Sequence, residues 1–140
     1  MAAGTLNVEI VAPDRSAFRG EATSFRAPGV EGSFEVLYNH APMIAATGVG
    51  PVTITTPSGE SVQFATSGGF VEVLDNRVIM VTETAEPVGE IDLERAKAAE
   101  ERARERLRES QTPEERAAAE ADLERSRNRA RLALGRVGSR

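Results

Sequence analysis

IDLERAKAAEERARERLRESQTPEERAAAEADLERSRNRARLAL, residues 91–134, differs most clearly in composition from the rest of the chain. It contains no glycine, and Pro113 is its only proline. Alanine, leucine, glutamate and arginine dominate it, and all four are strong helix formers. The composition predicts two helices on either side of one break. Because the helices are so heavily charged, we expect them to lie outside the core of the protein.

The starts of the two helices can be placed from their capping residues. Asp92 is predicted as the N-cap of the first helix. Thr112, followed by Pro113 and then by Glu115, predicts the start of the second helix. Gly135 is expected to end it. Alanine dominates the apolar stripes of both helices, so an antiparallel pair would bury little area, and we expect a hairpin of limited stability.

The first part of the chain has the pattern of a β structure. Leu6–Ile10 alternates apolar and polar residues, which is typical of a strand with one buried face. Asp75–Asn76 predicts a hairpin turn between two strands, and Ser67–Gly69 predicts a further tight turn. Many short strands between turns indicate a sandwich or a flattened barrel. We predict this β domain over residues 1–88 and a helical hairpin over residues 89–140.

Charge is distributed unevenly between these two parts. Residues 1–90 carry a formal charge of −7, whereas residues 91–140 carry +2. The acidic part would repel phosphate, which argues against nucleic-acid binding but leaves room for a local anion site on the helices. No cysteine is present, which excludes disulfides and thiol chemistry. No apolar run approaches the roughly 20 residues that span a bilayer, so we expect no insertion into a membrane.

Residues for catalysis or metal binding are few. His40 is the only histidine, and no Gly-x-Ser-x-Gly motif accompanies it. A histidine in a loop rich in turn residues is more often structural or part of an interface. No histidines and carboxylates are spaced as metal ligands. We therefore predict no catalytic residue and no metal site, and a stand-alone hydrolase is disfavoured.

The arginines of the helical part are the candidates for binding. Arg95 and Arg102 are seven residues apart and share one face of the first helix. Arg125 and Arg129 are four apart on the second helix and form a like-charge pair. We expect neither of them to have an ideal partner of opposite charge. A hairpin could bring all four guanidinium groups together, and such groups match phosphate oxygens. Two interpretations stay open: a solvated charged face, or a site for an anion or an acidic partner.

Four segments, taken in order, resemble motifs of the epsilon subunit of the rotary F-type ATP synthase. They are VAPD at 11–14, GSFEVLYNHAP at 32–42, SGGFVEV at 67–73 and IDLERA at 91–96. The resemblance covers nearly the whole chain. It implies an α+β fold, with an N-terminal flattened antiparallel β-sandwich followed by a C-terminal two-helix antiparallel hairpin.

The resemblance also implies a function and a location. The expected protein is a non-catalytic subunit of the central stalk, which couples the rotor to the catalytic head of a proton-translocating ATP synthase. Its partners would be the gamma subunit and the ring of c subunits, at the cytoplasmic face of the bacterial inner membrane. Ser33 and His40 would lie at the contact with the c-ring and stalk. Ser33 stands where many relatives have an acidic residue.

In this family the helical arm can extend and restrain ATP hydrolysis, or fold and bind ATP in some members. The motif for ATP, with the further contacts aligned to this chain, comprises Glu86, Ile91, Asp92, Arg95, Ala96, Arg102, Arg125 and Arg129. In the extended state, the arginines expected to meet the beta subunits are Arg125, Arg127, Arg129, Arg131 and Arg136. No cofactor is required, ATP is the expected regulatory ligand, and the sequence says little about magnesium. The alternative function is a nucleotide-sensing adaptor outside any rotary motor.

Overall fold

The computed structural model describes residues 4–138, and it describes side chains as far as residue 135. The strands are β1 (Leu6–Ala12), β2 (Arg15–Ala22), β3 (Ser24–Gly29), β4 (Gly32–Val36), β5 (Met43–Thr55), β6 (Ser61–Leu74), β7 (Arg77–Thr82) and β8 (Ala85–Pro87). A short 3₁₀ helix (Val88–Glu90) precedes α1 (Leu93–Glu109) and α2 (Pro113–Gly138). The chain divides after Pro87 into two compact units, which we call the sheet unit and the helical unit.

The strands of the sheet unit are hydrogen-bonded in the order β2-β1-β7-β6-β5-β3-β4, and β8 pairs with β6. Within the described residues, six of the seven strand pairs are antiparallel, and β1 and β7 form the one parallel pair. The predicted order, an antiparallel β domain followed by two helices, is confirmed with this single exception.

The core of the sheet unit is built from alternate residues of its strands. In β1 the side chains of Leu6, Val8 and Ile10 are buried, so the alternation seen in the sequence separates inside from outside. The other large side chains that are fully buried in this core come from β3 to β7; they are Phe25, Val36, Val52, Ile54, Val71, Val73, Val78 and Met80. Among the described residues, this hydrophobic cluster draws its members only from the sheet unit.

The turn predicted at Ser67–Gly69 is wrong, because these residues lie inside β6. The strand changes partner there, from β8 before the glycines to β7 after them. Gly68 has a φ of 108°, and a Cβ on Gly69 would lie 1.8 Å from the carbonyl oxygen of Val81. The glycines therefore permit a bend and a close backbone approach within a long strand, rather than a reversal of the chain.

The hairpin turn predicted at Asp75–Asn76 is confirmed. These two residues join β6 to β7 and have φ values of 50° and 62°. Positive φ at both central positions is the geometry of a type I′ turn, which matches the twist of antiparallel strands. Asparagine and aspartate tolerate this region better than most residues, so the local sequence was sufficient to place the turn.

The caps of the helices also follow the sequence, except at the C-terminal end. The backbone N–H of Arg95 donates to Asp92 Oδ1 at 3.2 Å, and that of Glu115 donates to Thr112 Oγ1 at 3.1 Å. The expectation that Gly135 ends α2 is wrong, since the helix continues to Gly138. One glycine costs about 1 kcal/mol relative to alanine, which the strong helix formers before it can offset.

The helical unit is an antiparallel pair. Arg106 of α1 lies 3.0 Å from Asp122 of α2, and Glu100 of α1 lies 3.6 Å from Arg127 of α2. As the position rises along α1, its partner therefore falls along α2. The buried residues of the two helices include Ala96, Ala103, Ala119, Leu123 and Ala133. In the part of the chain that the structure describes, neither helix is long and apolar enough to cross a membrane.

Candidate functional site

A row of exposed apolar side chains crosses the outer face of the sheet unit. Phe70 of β6 lies opposite Ala46 of β5 on one side and Val81 of β7 on the other, and Val81 lies opposite Val11 of β1. Phe70 is 61% exposed and Val81 is 54% exposed. Ile44, on the same face of β5 as Ala46, is 74% exposed. The apolar row comprises Val11, Ile44, Ala46, Phe70 and Val81, of which Val11 is half-buried and the other four are exposed. A contiguous apolar surface is typical of a site for another protein.

Charged residues border the apolar row in the neighbouring register. Glu9 of β1 pairs with Ile79 of β7, which in turn pairs with Glu72 of β6. Arg19 of β2 donates to Glu9 Oε2 at 2.8 Å, and this hydrogen bond lowers the pKa of Glu9 below its ordinary value. Glu9 is therefore ionised at neutral pH. An apolar centre with a polar border is the usual composition of a protein–protein interface.

His40 lies in the loop between β4 and β5 and is held by backbone contacts. Its Nδ1 donates to the carbonyl oxygen of Ala41 at 2.7 Å, since a carbonyl oxygen only accepts. Its backbone N–H donates to the carbonyl oxygen of Leu37 at 3.1 Å. The preceding residue, Asn39, has a φ of 65°. The loop thus has a defined turn geometry, and the His40 ring, which is half-buried, is fixed at its edge.

A reciprocal pair of asparagines ties this loop to the β6–β7 turn. The backbone N–H of Asn39 donates to Asn76 Oδ1 at 2.6 Å, and Asn76 Nδ2 donates to Asn39 Oδ1 at 3.2 Å. No local sequence pattern predicts this pair, because the partners are 37 residues apart and only the folded sheet brings them together. The asparagine pair joins two loops at one end of the sheet unit and fixes the segment that carries His40.

Ser33 is exposed on β4, where it accepts a hydrogen bond from Arg26 Nε at 3.3 Å. Arg26 lies opposite Glu35 in the β3–β4 register, and their charged groups are 3.9 Å apart. Ser33 therefore presents a hydroxyl group beside an arginine. The nearby carboxylate of Glu35 belongs to the same face, two residues further along the strand.

In the helical unit, the predicted ATP motif has a clear structural role at the start of α1. Ile91 and Ala96 are buried, and Asp92 caps the helix. Arg95 is exposed on the first turn. The motif therefore fixes the helix start and leaves one guanidinium group directed away from the buried residues. Glu86 lies in β8 of the sheet unit and is half-buried.

The antiparallel pairing places the four predicted arginines within about two helical turns of each other along the pair. The cross-helix ion pairs set Arg102 of α1 at about the level of Arg125 of α2. Arg129 lies one turn further along α2, toward the level of Arg95. Two turns of helix span roughly 10 Å. The four positions therefore lie at neighbouring levels of the helix pair, and their joint binding of a ligand stays a prediction.

The ion pairs of this group differ from residue to residue. Arg125 does have a partner, Asp122 on the preceding turn, so the expectation that it lacks one is wrong. The partner is visible in the sequence, because Asp122 lies three residues before Arg125 in the same helix. Arg95 and Arg102 make no ion pair with the residues that the structure describes.

The arginines predicted to meet the beta subunits also lie on α2. Arg127 and Arg131 are exposed, whereas Arg129 is half-buried. Arg127 Nε lies 3.6 Å from Glu100. The side chain of Arg136 lies outside the described side chains. Across the described residues, no group of three or more histidine, aspartate or glutamate side chains is placed to hold a metal ion.

The comparisons with known proteins cover both units. Residues 5–88 match the family described as ATP synthase, Delta/Epsilon chain, beta-sandwich domain, and residues 90–133 match the long alpha-helix domain of the same chain. The chain is 52% identical to the ATP synthase epsilon chain of Salinibacter ruber over 146 residues, which cover 99% of this chain and 98% of that one. It is 46% identical to the ATP synthase epsilon chain of Syntrophomonas wolfei, over 76% of this chain and 78% of that one.

Two solved structures share the fold. One belongs to the Euglena gracilis mitochondrial ATP synthase, OSCP/F1/c-ring, with a TM-score of 0.80, 24% identity and coverage of 95% of this chain and 81% of that one. The other belongs to the central stalk/c-ring of the Tetrahymena thermophila mitochondrial ATP synthase, with a TM-score of 0.68, 16% identity and coverage of 91% and 96%. At these identities the likeness concerns the fold. The family resemblance predicted from the four sequence segments is confirmed by the family and relative matches.

Proposed function

The chain belongs to the family of ATP synthase epsilon chains, which are non-catalytic subunits, and on that premise we propose that it docks on the gamma subunit of the central stalk through the apolar row. The single observation that carries this proposal is the position of Phe70. It is an exposed aromatic side chain with apolar neighbours on both adjacent strands. The sheet unit that carries it has a negative net charge. Aromatic side chains at the centre of such a patch supply much of the binding energy of interfaces.

A second proposed contact, with the c-ring, involves two places in the sheet unit: the loop that the asparagine pair fixes, and the start of β4. His40 and Ser33 are the proposed contact residues. Because Ser33 is bound to Arg26, this contact would depend on hydrogen bonding rather than on the negative charge expected at that position. Both solved structures that share the fold belong to assemblies that include the c-ring, which supports this contact at the level of the assembly. The protein would couple rotation of the proton-driven ring to the catalytic head.

The helical unit is the proposed regulatory arm, which restrains ATP hydrolysis when it extends. Extension would break the ion pairs Arg106–Asp122 and Arg127–Glu100 between the helices, while Arg125 would keep Asp122 within its own helix. Exposed ion pairs contribute only about 0–1 kcal/mol each, so they would not prevent the change. The arginines proposed to meet an acidic surface of the beta subunits are Arg125, Arg127, Arg129, Arg131 and Arg136.

The folded arm is the proposed ATP site. Arg95 and Arg102 make no ion pair with the described residues, so their guanidinium groups can bind phosphate oxygens without first losing a carboxylate. ATP would favour the folded arm only by binding it more tightly than the extended arm. The full proposed set is Glu86, Ile91, Asp92, Arg95, Ala96, Arg102, Arg125 and Arg129. ATP is thus a regulatory ligand, and the protein would be peripheral at the cytoplasmic face of the bacterial inner membrane.

Co-purification with the gamma subunit tests the docking proposal. The wild-type chain should elute with gamma and the c-ring, and Phe70→Glu should weaken the association at least about 30-fold, because it places an unpaired charge at the centre of the interface. Leu74→Glu is the matched control. Leu74 is on the same face of β6 and is 50% exposed, but it lies opposite Arg77 rather than an apolar residue.

The two variants together show whether the apolar row is the surface that binds gamma. If Leu74→Glu binds gamma normally and Phe70→Glu does not, the apolar row is the docking surface. Equal binding by both variants would contradict the assignment of this surface. A wild-type chain that never associates with gamma or the c-ring would favour the alternative, a nucleotide-sensing adaptor.

A further inference from the structure

Asp122 of α2 binds arginines of both helices. Its Oδ1 accepts a hydrogen bond from Arg125, three residues later in the same helix. Its Oδ2 lies 3.0 Å from Nη1 of Arg106 in α1. Both oxygens of one carboxylate are therefore in use, and one of the two partners is an arginine proposed to bind phosphate. A carboxylate and a phosphate compete for the same N–H groups of a guanidinium.

We propose that Asp122 is an internal competitor of ATP that sets the affinity of the helical unit for nucleotide. The proposal rests on the proposed ATP site and adds the residue that regulates it. Without nucleotide, Asp122 neutralises Arg125. When ATP binds, a phosphate replaces the carboxylate on Arg125, and Asp122 keeps Arg106 as its partner. The displaced carboxylate stays close to the phosphate, so charge repulsion lowers the affinity further.

Asp122 also connects the two helices, and this second role has the opposite effect on ATP binding. The pair with Arg106 stabilises the closed hairpin, which is the form proposed to bind ATP. If Asp122 acted only as a connector, its removal would weaken ATP binding. If it acts as a competitor, its removal strengthens binding. The direction of the change therefore distinguishes the two roles.

Asp122→Asn removes the charge, and two further variants complete the test. Arg106→Gln removes only the cross-helix ion pair and leaves Asp122 free to hold Arg125. Glu124→Gln removes a negative charge two residues away, at an exposed position that makes no ion pair with the described residues. Isothermal titration of the full chain with ATP at fixed ionic strength measures the dissociation constant of each variant. Helix content from circular dichroism shows that each variant is folded.

We expect Asp122→Asn to bind ATP roughly two- to fivefold more tightly than the wild type, the range that the coupling energies of exposed ion pairs allow. Arg106→Gln should not bind more tightly, and Glu124→Gln should resemble the wild type. If Asp122→Asn binds ATP no more tightly than Glu124→Gln does, the proposal is overturned. If the wild type still binds ATP in that case, the ATP site itself stands. If no variant binds ATP at millimolar concentration, the site and the competitor both fail.

Discussion

Arg95 and Arg125 make different contacts, although both are proposed to bind phosphate. Arg95 is exposed on the first turn of α1 and makes no ion pair with the described residues, whereas Arg125 is bound to Asp122. We predict that Arg95→Ala or Arg125→Ala weakens ATP binding about tenfold or more, because a hydrogen bond to a charged group contributes about 1.5–3 kcal/mol. Isothermal titration of the full chain measures the loss.

Arg116→Ala serves as the control for that measurement. Arg116 is also an exposed arginine of α2, but it lies more than two turns before Arg125 and outside the proposed site. Its replacement should leave the dissociation constant unchanged. If Arg95→Ala and Arg125→Ala also leave it unchanged, these arginines form a solvated charged face, which was the other interpretation of the sequence.

Some contacts of the proposed ATP site can be predicted from the sequence alone, and others cannot. The relative levels of the arginines within one helix follow from the sequence, because helical spacing depends only on residue numbers. The Arg125–Asp122 pair was within reach of the same reasoning, since it joins residues three apart in one helix. The Arg106–Asp122 pair was not, because it depends on the register of two helices. The asparagine pair could not be predicted either, because its partners are 37 residues apart and meet only in the folded sheet.

At the scale of elements, β6 depends on the two glycines at its bend. We predict that Gly69→Ala destabilises the sheet unit by more than about 3 kcal/mol, because the new Cβ would lie 1.8 Å from the Val81 carbonyl oxygen and would force the backbone of β7 to move. Gly48→Ala is the control. Gly48 lies in β5, the strand hydrogen-bonded to β6, and a Cβ there meets nothing within 4 Å.

Urea denaturation of both variants, followed by circular dichroism, measures the difference in free energy of unfolding. Gly48→Ala should remain within about 1 kcal/mol of the wild type. Similar losses in both variants would show that the sheet adapts to the added methyl group and that the bend at Gly69 is not constrained by its contact with β7.

The elements differ in how well the sequence predicts them, and the difference has a physical cause. Helix starts depend on contacts within four residues, so Asp92 and Thr112 placed both of them correctly. The length of β6 depends on β5, β7 and β8, whose pairing is not visible in a local pattern. A pair of glycines was therefore interpreted as a turn, although the strand continues through it.

At the scale of the whole molecule, the two units are expected to differ in their importance for folding. The described hydrophobic cluster contains residues between Leu6 and Ala85 only. We therefore predict that a chain lacking residues 91–140 still folds and unfolds cooperatively, and that it still associates with gamma through the apolar row. Thermal unfolding and co-purification measure these two properties. A truncated chain that fails to fold would show that the helical unit completes the core.

The same truncation tests the proposed arm in the assembled motor, where loss of residues 91–140 should raise the rate of ATP hydrolysis. Truncation removes length and charge together, so a full-length variant is needed to separate them. Arg131→Glu keeps both helices and reverses an exposed charge of α2 that makes no ion pair with the described residues. If the arm acts by meeting an acidic surface, this variant should also raise hydrolysis, and the inhibition of the wild type should weaken as salt screens the contact. Hydrolysis that rises only on truncation would instead assign the inhibition to the bulk of the arm.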